Sequence, residues 1–329
     1  MNILITGGLG YIGGRLANHL AGQPGYKVTV TTRKNISETI SYQIPSHIQI
    51  IHGVSPSSME EAIGKTDIVI HLAALNEIDS LKRPLEAIQV NVLESFIVLE
   101  SAIKHKVKKF IYFSTAHVYG APLRGVITEK IIPRPVHPYA LTHHAFEDFV
   151  TAARDNKKID ALVLRLSNSF GPPSFLSADR WTLLVNDLCR EAVTKNQMTL
   201  KTAGLQQRDF ISLLDTCRAV QYFIEAEDKK WMDGIFNLGG HNAMPVIDMA
   251  NLIKERARLL FNKEIILSVP KALESEMQED HFLQYDISKL LASGFSLKNN
   301  IIEEIDNTLL FCSSHFNQET IRRKPQINQ

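Results

Sequence analysis

The sequence predicts an α/β fold, a doubly wound parallel sheet with helices on both faces. Three observations carry this: short β-branched runs recur along the first half of the 329-residue chain, helically spaced segments separate them, and a glycine-rich turn follows the first run. The runs are N-I-L-I-T (2 to 6), K-V-T-V-T (27 to 31), I-Q-I-I-H (48 to 52), D-I-V-I-H (67 to 71), K-F-I-Y-F (109 to 113) and A-L-V-L-R (161 to 165). Each is nearly continuously apolar, as strands covered on both faces are. The segments between them, such as the one carrying Leu85, Ile88, Val92, Phe96 and Leu99, are long enough for right-handed crossovers between parallel strands. Beyond residue 170 the pattern loosens into Pro172-Pro173, helix-like pieces, short strand candidates and Gly239-Gly240. Residues 1–170 are therefore expected to form the sheet domain, and 171–329 a smaller lobe with segments that can return to the sheet. The polar tail from residue 317 is not expected to pack.

Charge and cysteine content exclude several classes. Lys plus Arg (36) balance Asp plus Glu (35), so no global field recruits nucleic acid or an anionic membrane. The basic run K-H-K-V-K-K at 104 to 109 reads as the solvated end of a helix before a strand. Cys189, Cys217 and Cys312 are far apart, lack metal-ligand spacing and cannot all pair within one chain, which fits a reducing cytoplasm. No basic leader precedes the first strand and no apolar stretch approaches a membrane span, so a soluble, cytoplasmic protein is expected.

The glycine-rich turn is T-G-G-L-G-Y-I-G at 6 to 13, between a predicted strand and a predicted helix. In that context the glycines have separate tasks: a tight turn, close backbone approach to a pyrophosphate, and contact between helix and strand. Gly7, Gly8, Gly10 and Gly13 meet these needs, and the free N–H groups opening the helix, from Tyr11, Ile12 and Gly13, can receive phosphates. At the end of the second strand, where an NAD site usually places a carboxylate on the adenine ribose, the chain reads T-T-R-K. Arg33 and Lys34 put positive charge where a 2′-phosphate would lie, which favours NADP over NAD. The competing reading is a solvated basic turn.

Further motifs follow in order: H-L-A-A (71 to 74), N-V-L-E-S (91 to 95), F-S-T-A-H-V-Y-G (113 to 120), P-Y-A-L-T-H (138 to 143), L-R-L-S-N-S-F-G-P (164 to 172) and R-D-F-I-S-L-L-D (208 to 215). With the glycine turn, they make residues 1 to 245 resemble the extended short-chain dehydrogenase/reductases. The resemblance implies a Rossmann-type sheet, a smaller C-terminal substrate-binding lobe, and a nucleotide-linked sugar as substrate. It places Leu72, Ala73, Ala74 and Asn91 at the cofactor. Thr115 takes the place of the family's active-site Ser or Thr, and Tyr139 that of its catalytic tyrosine. A hydride would pass between nicotinamide and a carbinol carbon while Tyr139 exchanges the proton and Thr115 holds the oxygen.

A free phenol titrates near 10, too high for a base at neutral pH without help. The family supplies that help with a lysine four residues on; here His143 stands there. Three readings compete. A protonated imidazole could stabilise phenolate and bind the ribose, making activity pH-dependent. Alternatively the oxidised cofactor and a water do the tuning while His143 orients ribose. The third possibility is a site that binds dinucleotide without turnover. Ketone reduction tolerates the loss of lysine best, because a neutral phenol is already the acid required. The adjacent His144 is expected at the surface.

On the substrate side, Ala116 and His117 occupy the places where sugar 4,6-dehydratases of the family carry an acid pair, which argues against dehydration. His117 could reach substrate, or pack beneath the Val118-Tyr119-Gly120 turn. Asn168 and Arg208 match positions that approach the nucleotide diphosphate. Against this, E-S-E-M-Q-E-D-H at 274 to 281 brings four carboxylates where family members usually offer arginine. Val54 replaces an Asp that many members place beside adenine. The expected function is NADP-dependent reduction of a nucleotide-linked ketosugar; the alternatives are a sugar-nucleotide 4-epimerase and a catalytically silent dinucleotide-binding protein. Family members often dimerise through helices corresponding to 85 to 104 and 139 to 155, so a homodimer is expected, with Phe96, Phe146 and Phe149 either at that surface or in the core.

Overall fold

The computed structural model describes residues 1–33, 44–53, 55–176, 178 and 180–316. All six predicted runs form strands: β1 (Asn2–Thr6), β2 (Lys27–Thr32), β3 (Gln49–His52), β4 (Ile68–His71), β5 (Lys109–Thr115) and, after the short β6 (Gly125–Ile127), β7 (Asp160–Leu166). They pair in parallel in the order β3-β2-β1-β4-β5-β7, and β11 (Ile235–Leu238) completes the far edge beside β7. The result is a Rossmann-type sheet. Its strands are apolar on both sides because both sides are covered. One cluster, with Ile3, Ile5, Val30, Ile70 and Ile111, fills one face, and another, with Leu4, Val69, Phe110, Tyr112 and Val163, fills the other.

The later chain therefore contributes a strand to the large sheet as well as forming its own layer. β8 (Asn168–Phe170) pairs with β10 (Gln207–Ser212), and β10 with β12 (Ala243–Pro245), over a separate core that includes Phe170, Trp181, Leu188, Met249 and Ile305. This layer is clasped to the helix Tyr11–Ala21. Arg15 donates to the Glu304 carboxylate and to the Pro172 carbonyl, both at 2.9 Å, and the Tyr11 hydroxyl donates to the Gly171 carbonyl at 2.8 Å.

The segment after β4 departs from the expected single stripe. A helix Pro84–Ile88 runs into a π-helical turn, Gln89–Glu94, and then into the helix Ser95–Lys104. The wider turn rotates the faces on either side of it. Leu85 and Ile88 end up exposed, while Val90, Asn91, Val98 and Leu99 are buried. Phe146 lies in the core, whereas Phe149 is exposed and packs at a tilt against the half-buried Phe96 with centroids 4.9 Å apart. Glu274, Glu279 and Asp280 face solvent, and Glu279 lies 2.5 Å from Arg124. Among the described residues no helix is long and apolar enough to cross a membrane. Lys34, Val54 and the tail from 317 lie outside the described residues.

Candidate active site

The strand order reverses between β1 and β4, and ligands of such sheets lie at the carboxyl ends of the strands around that point. The two strand ends are tied together there. The Thr6 hydroxyl accepts the backbone N–H groups of Leu72 and Ala73, each at 3.2 Å, and contacts His71 Nδ1 at 2.8 Å. Gly7 has φ +68°, and a side chain there would come within 3.0 Å of the Ala73 backbone. At Gly13 a Cβ would lie 2.3 Å from the Gly7 carbonyl oxygen, so the turn closes only around glycine.

The helix opening at Tyr11 has Gly10 as its N-cap with no side-chain cap and no acidic residue in its first turn. Its first N–H groups are left for an anion. These features fit a dinucleotide: Gly7, Gly8, Gly10 and Gly13 form the wall, and the backbones of Tyr11 and Ile12 open the helix. The Tyr11 side chain is not part of that surface, because it is buried and bonded to Gly171 and Asn186. The side chains of Leu72, Ala73 and Ala74 are half-buried beside the turn. Arg33, at the end of β2, lies 4.0 Å from Glu94, both half exposed; such a pair is weak, so the guanidinium is available to a phosphate.

Asn91, expected at the cofactor, lies in the π-helical turn Gln89–Glu94. Its side chain is buried, accepts the Leu75 N–H at 2.7 Å and donates to the Thr142 hydroxyl at 3.0 Å, so it braces the β4 loop against the helix Pro138–Asp155. That helix carries Tyr139 in its first turn, after Pro138. The His137 imidazole caps it, Nδ1 accepting the Tyr139 N–H at 3.2 Å. Thr115 ends β5, and its hydroxyl accepts the His117 N–H at 3.2 Å. The helix packs on both β5 and the turn Ala116–Tyr119. Ala116 is buried, and His117 is half-buried.

Several charged and titratable groups act on Tyr139 and His117. Burial raises the pKa of Tyr139, with Arg180 opposing and Glu77 adding. Burial lowers that of His117, with Glu77 opposing and Arg208 and His137 adding. Arg208 is lowered by burial and raised by Glu77. Side chains from the helix after β4, the turn after β5, the start of β10 and the segment before residue 184 thus lie close enough to act on one another electrostatically. Asn168 is adjacent: its amide donates to the Asp209 carbonyl at 3.0 Å, holding the backbone next to Arg208. A separate hollow of about 700 Å³, lined by Met244, Leu252, Asn300 and Asp306 among others, includes none of these residues.

His143 stands one turn after Tyr139 on the same helix. Its ring is buried between helix and strand, Nδ1 lies 2.6 Å from the Tyr112 hydroxyl, and its edge meets the Tyr139 ring at a centroid distance of 4.3 Å. Burial pushes its pKa down to about 3, with His71 adding and the Phe113 carbonyl opposing. Burial thus favours the neutral imidazole over the protonated one at neutral pH, which weighs against the first of the three readings. His144 is half-buried.

Residues 3–239 match the NAD dependent epimerase/dehydratase family. The chain belongs to that family. Human (Homo sapiens) dTDP-D-glucose 4,6-dehydratase is 30% identical over 278 residues, which cover 77% of this chain and 74% of the relative. UDP-glucose 4-epimerase of Halalkalibacterium halodurans is 28% identical over 272 residues, covering 78% of this chain and 80% of the relative. Among solved structures, the UDP-glucuronic acid 4-epimerase of Bacillus cereus in complex with NAD superposes with a TM-score of 0.79 at 22% identity, covering 95% of this chain and 99% of that one. The matched span of the epimerase/dehydratase family runs from β1 through β11 and takes in the glycine turn, Thr115, Tyr139 and Arg208.

Four residues of this cleft were missed in sequence. Glu77 follows H-L-A-A-L-N, a loop leaving a sheet-centre strand, which is a signal for the cleft. Arg180 lies in no motif, His137 is visible only as a possible cap before Pro138, and Tyr112 reads as an ordinary core aromatic.

Proposed function

We propose that this family member is an NADP-preferring oxidoreductase that reduces a ketosugar carried on a nucleotide, with Tyr139 as proton donor. The observation that supports it best is a neutral phenol held by a capped helix at the strand ends, beside a glycine turn open to phosphate. A bound nicotinamide supplies the hydride. Tyr139 Oη gives its proton to the carbonyl oxygen, and the Thr115 hydroxyl orients that oxygen by a hydrogen bond. Arg33 and Lys34 would hold the 2′-phosphate, while Asn168 and Arg208 would bind the diphosphate and His117 the sugar. In this reading residues 1–170 mainly carry the cofactor and the later lobe the substrate. His143 serves the site from behind rather than as a base. Dehydration is disfavoured because Ala116 and His117 bring no acid pair.

Two copies would associate through the helices of residues 84–104 and 138–155, where Leu85, Ile88, Leu93, Ile97, Leu141 and Phe149 are exposed apolar residues. Sedimentation at micromolar concentration should give twice the chain mass.

Tyr139→Phe should lower turnover by roughly 10²–10⁴-fold while leaving NADPH affinity within twofold. A wild-type chain that binds NADPH but turns over none of a panel of nucleotide-linked ketosugars would be the silent dinucleotide-binding protein instead. A second enzymatic reading, 4-epimerisation, is favoured by the name of the 28% identical relative. It requires the cofactor to stay bound through purification and no net NADPH consumption.

A further inference from the structure

We propose that Tyr112 is the positioning residue that lets this site work without lysine: its hydroxyl holds His143 as the Nε2–H tautomer in the seam between helix and strand, an uncharged wedge against the Tyr139 ring that leaves that phenol a proton donor. The inference rests on the reductase reading and adds a residue and a direction to it.

The hydroxyl of Tyr112 is buried and has two acceptors in reach, His143 Nδ1 at 2.6 Å and the His143 carbonyl at 3.5 Å. In the proposed arrangement the hydroxyl donates along the shorter contact, Nδ1 accepts, and the ring proton sits on Nε2. Among the described residues Nε2 has no hydrogen-bond partner. The pair is locked by aromatic neighbours. Tyr112 stacks on His143 with planes 20° apart, and Phe146 meets Tyr112 edge-on at 4.7 Å. Swinging His143 outward would open this block.

Nothing around the ring would hold a charge. The titratable groups facing it are Tyr112 from β5, Tyr139 from its own helix, His71 from β4 and His117 from the turn after β5, none of them a carboxylate. Glu147, one turn on, is occupied by three hydrogen bonds from Arg165. The charges acting on Tyr139 come instead from the cleft side, Arg180 and Glu77, which oppose each other. With no fixed cation behind it, the phenol keeps its proton until a carbonyl oxygen accepts it; the O–H bond of Tyr139 breaks, the substrate O–H forms, and solvent restores the phenol. Alcohol oxidation, which needs phenolate at rest, is disfavoured.

The test is long-range ¹H–¹⁵N spectroscopy of the labelled full-length chain between about pH 4.5 and about pH 8, with His143→Asn for assignment. The expected result is one neutral tautomer, proton on Nε2, throughout, and tautomer exchange in Tyr112→Phe. A proton on Nδ1, titration near pH 6.5, or a Tyr112→Phe tautomer identical to wild type overturns the proposal; if Tyr112→Phe does not fold, the wild-type spectrum decides alone. In parallel, His143→Lys should raise alcohol oxidation at neutral pH by about tenfold, one unit of phenol pKa; no rise also counts against it. Because the spectra need neither cofactor nor substrate, they can fail while the Tyr139→Phe assay succeeds, and the reverse.

Discussion

Acidification should destabilise this protein well before its carboxylates protonate, because two imidazoles are buried neutral. Burial pushes His71 down to about 3, as it does His143. His71 has both nitrogens engaged, Nδ1 with the Thr6 hydroxyl and Nε2 with the Ser95 hydroxyl, each at 2.8 Å. In the unfolded chain both groups titrate near 6.5, so below that pH the unfolded state takes up protons that the folded state refuses. Stability is therefore complete above the unfolded value and falls as pH drops toward the folded one. Between pH 6.5 and pH 5 each imidazole contributes a loss of about 1.5 pH units times 1.36, or about 2 kcal/mol, and the pair about 4 kcal/mol. That is a large share of a typical folding free energy of about 5–15 kcal/mol. The assay is urea unfolding at pH 7 and pH 5, followed through Trp181 and Trp231, for the wild type and for His143→Asn, whose amide oxygen can still accept the Tyr112 proton. The variant should lose about 2 kcal/mol less than wild type over this interval. An identical loss in both would mean that His143 is charged in the folded state, and the reasoning would fail.

Gly13→Ala should abolish dinucleotide binding, measured by nicotinamide fluorescence, since its Cβ would sit 2.3 Å from the Gly7 carbonyl oxygen. Arg33→Ala should weaken NADPH by about ten- to a hundredfold, the value of one charge-assisted hydrogen bond, and NADH by less than about threefold; equal losses would remove the case for NADP. Arg165→Met strands Glu147 in the core without the guanidinium that bonds it at 2.7 to 3.2 Å, and should cost about 3–5 kcal/mol by calorimetry.

The strands were legible because a buried parallel strand has to be apolar at every position, and runs such as I-V-I-H leave little else to form. The glycine turn was legible because each glycine answers a separate steric demand. What escaped is instructive. The stripe Leu85, Ile88, Val92, Phe96 and Leu99 fits a regular helix, and no local residue type announces the π turn that rotates Leu85 and Ile88 outward. The edge strand I-F-N-L was hidden by Asn237, whose buried amide is satisfied by the distant Ile127 and Asp286 carbonyls. The motif N-V-L-E-S marks Asn91, but not that its buried amide bonds Leu75 and Thr142, on two other elements. For His143 the motif gives the position, while its hydrogen-bond partner Tyr112 lies thirty-one residues away on another element.

The edge strand has a consequence for how the chain is born. β7 leaves the ribosome with one flank unpaired, and its partner β11 follows some seventy residues later, about 3.5 to 14 s at ordinary translation rates. Over that interval the nascent sheet exposes a hydrophobic edge to its neighbours on the polysome. Slow codons between the two strands would lengthen the hazard, and chaperone occupancy of the nascent chain should peak there.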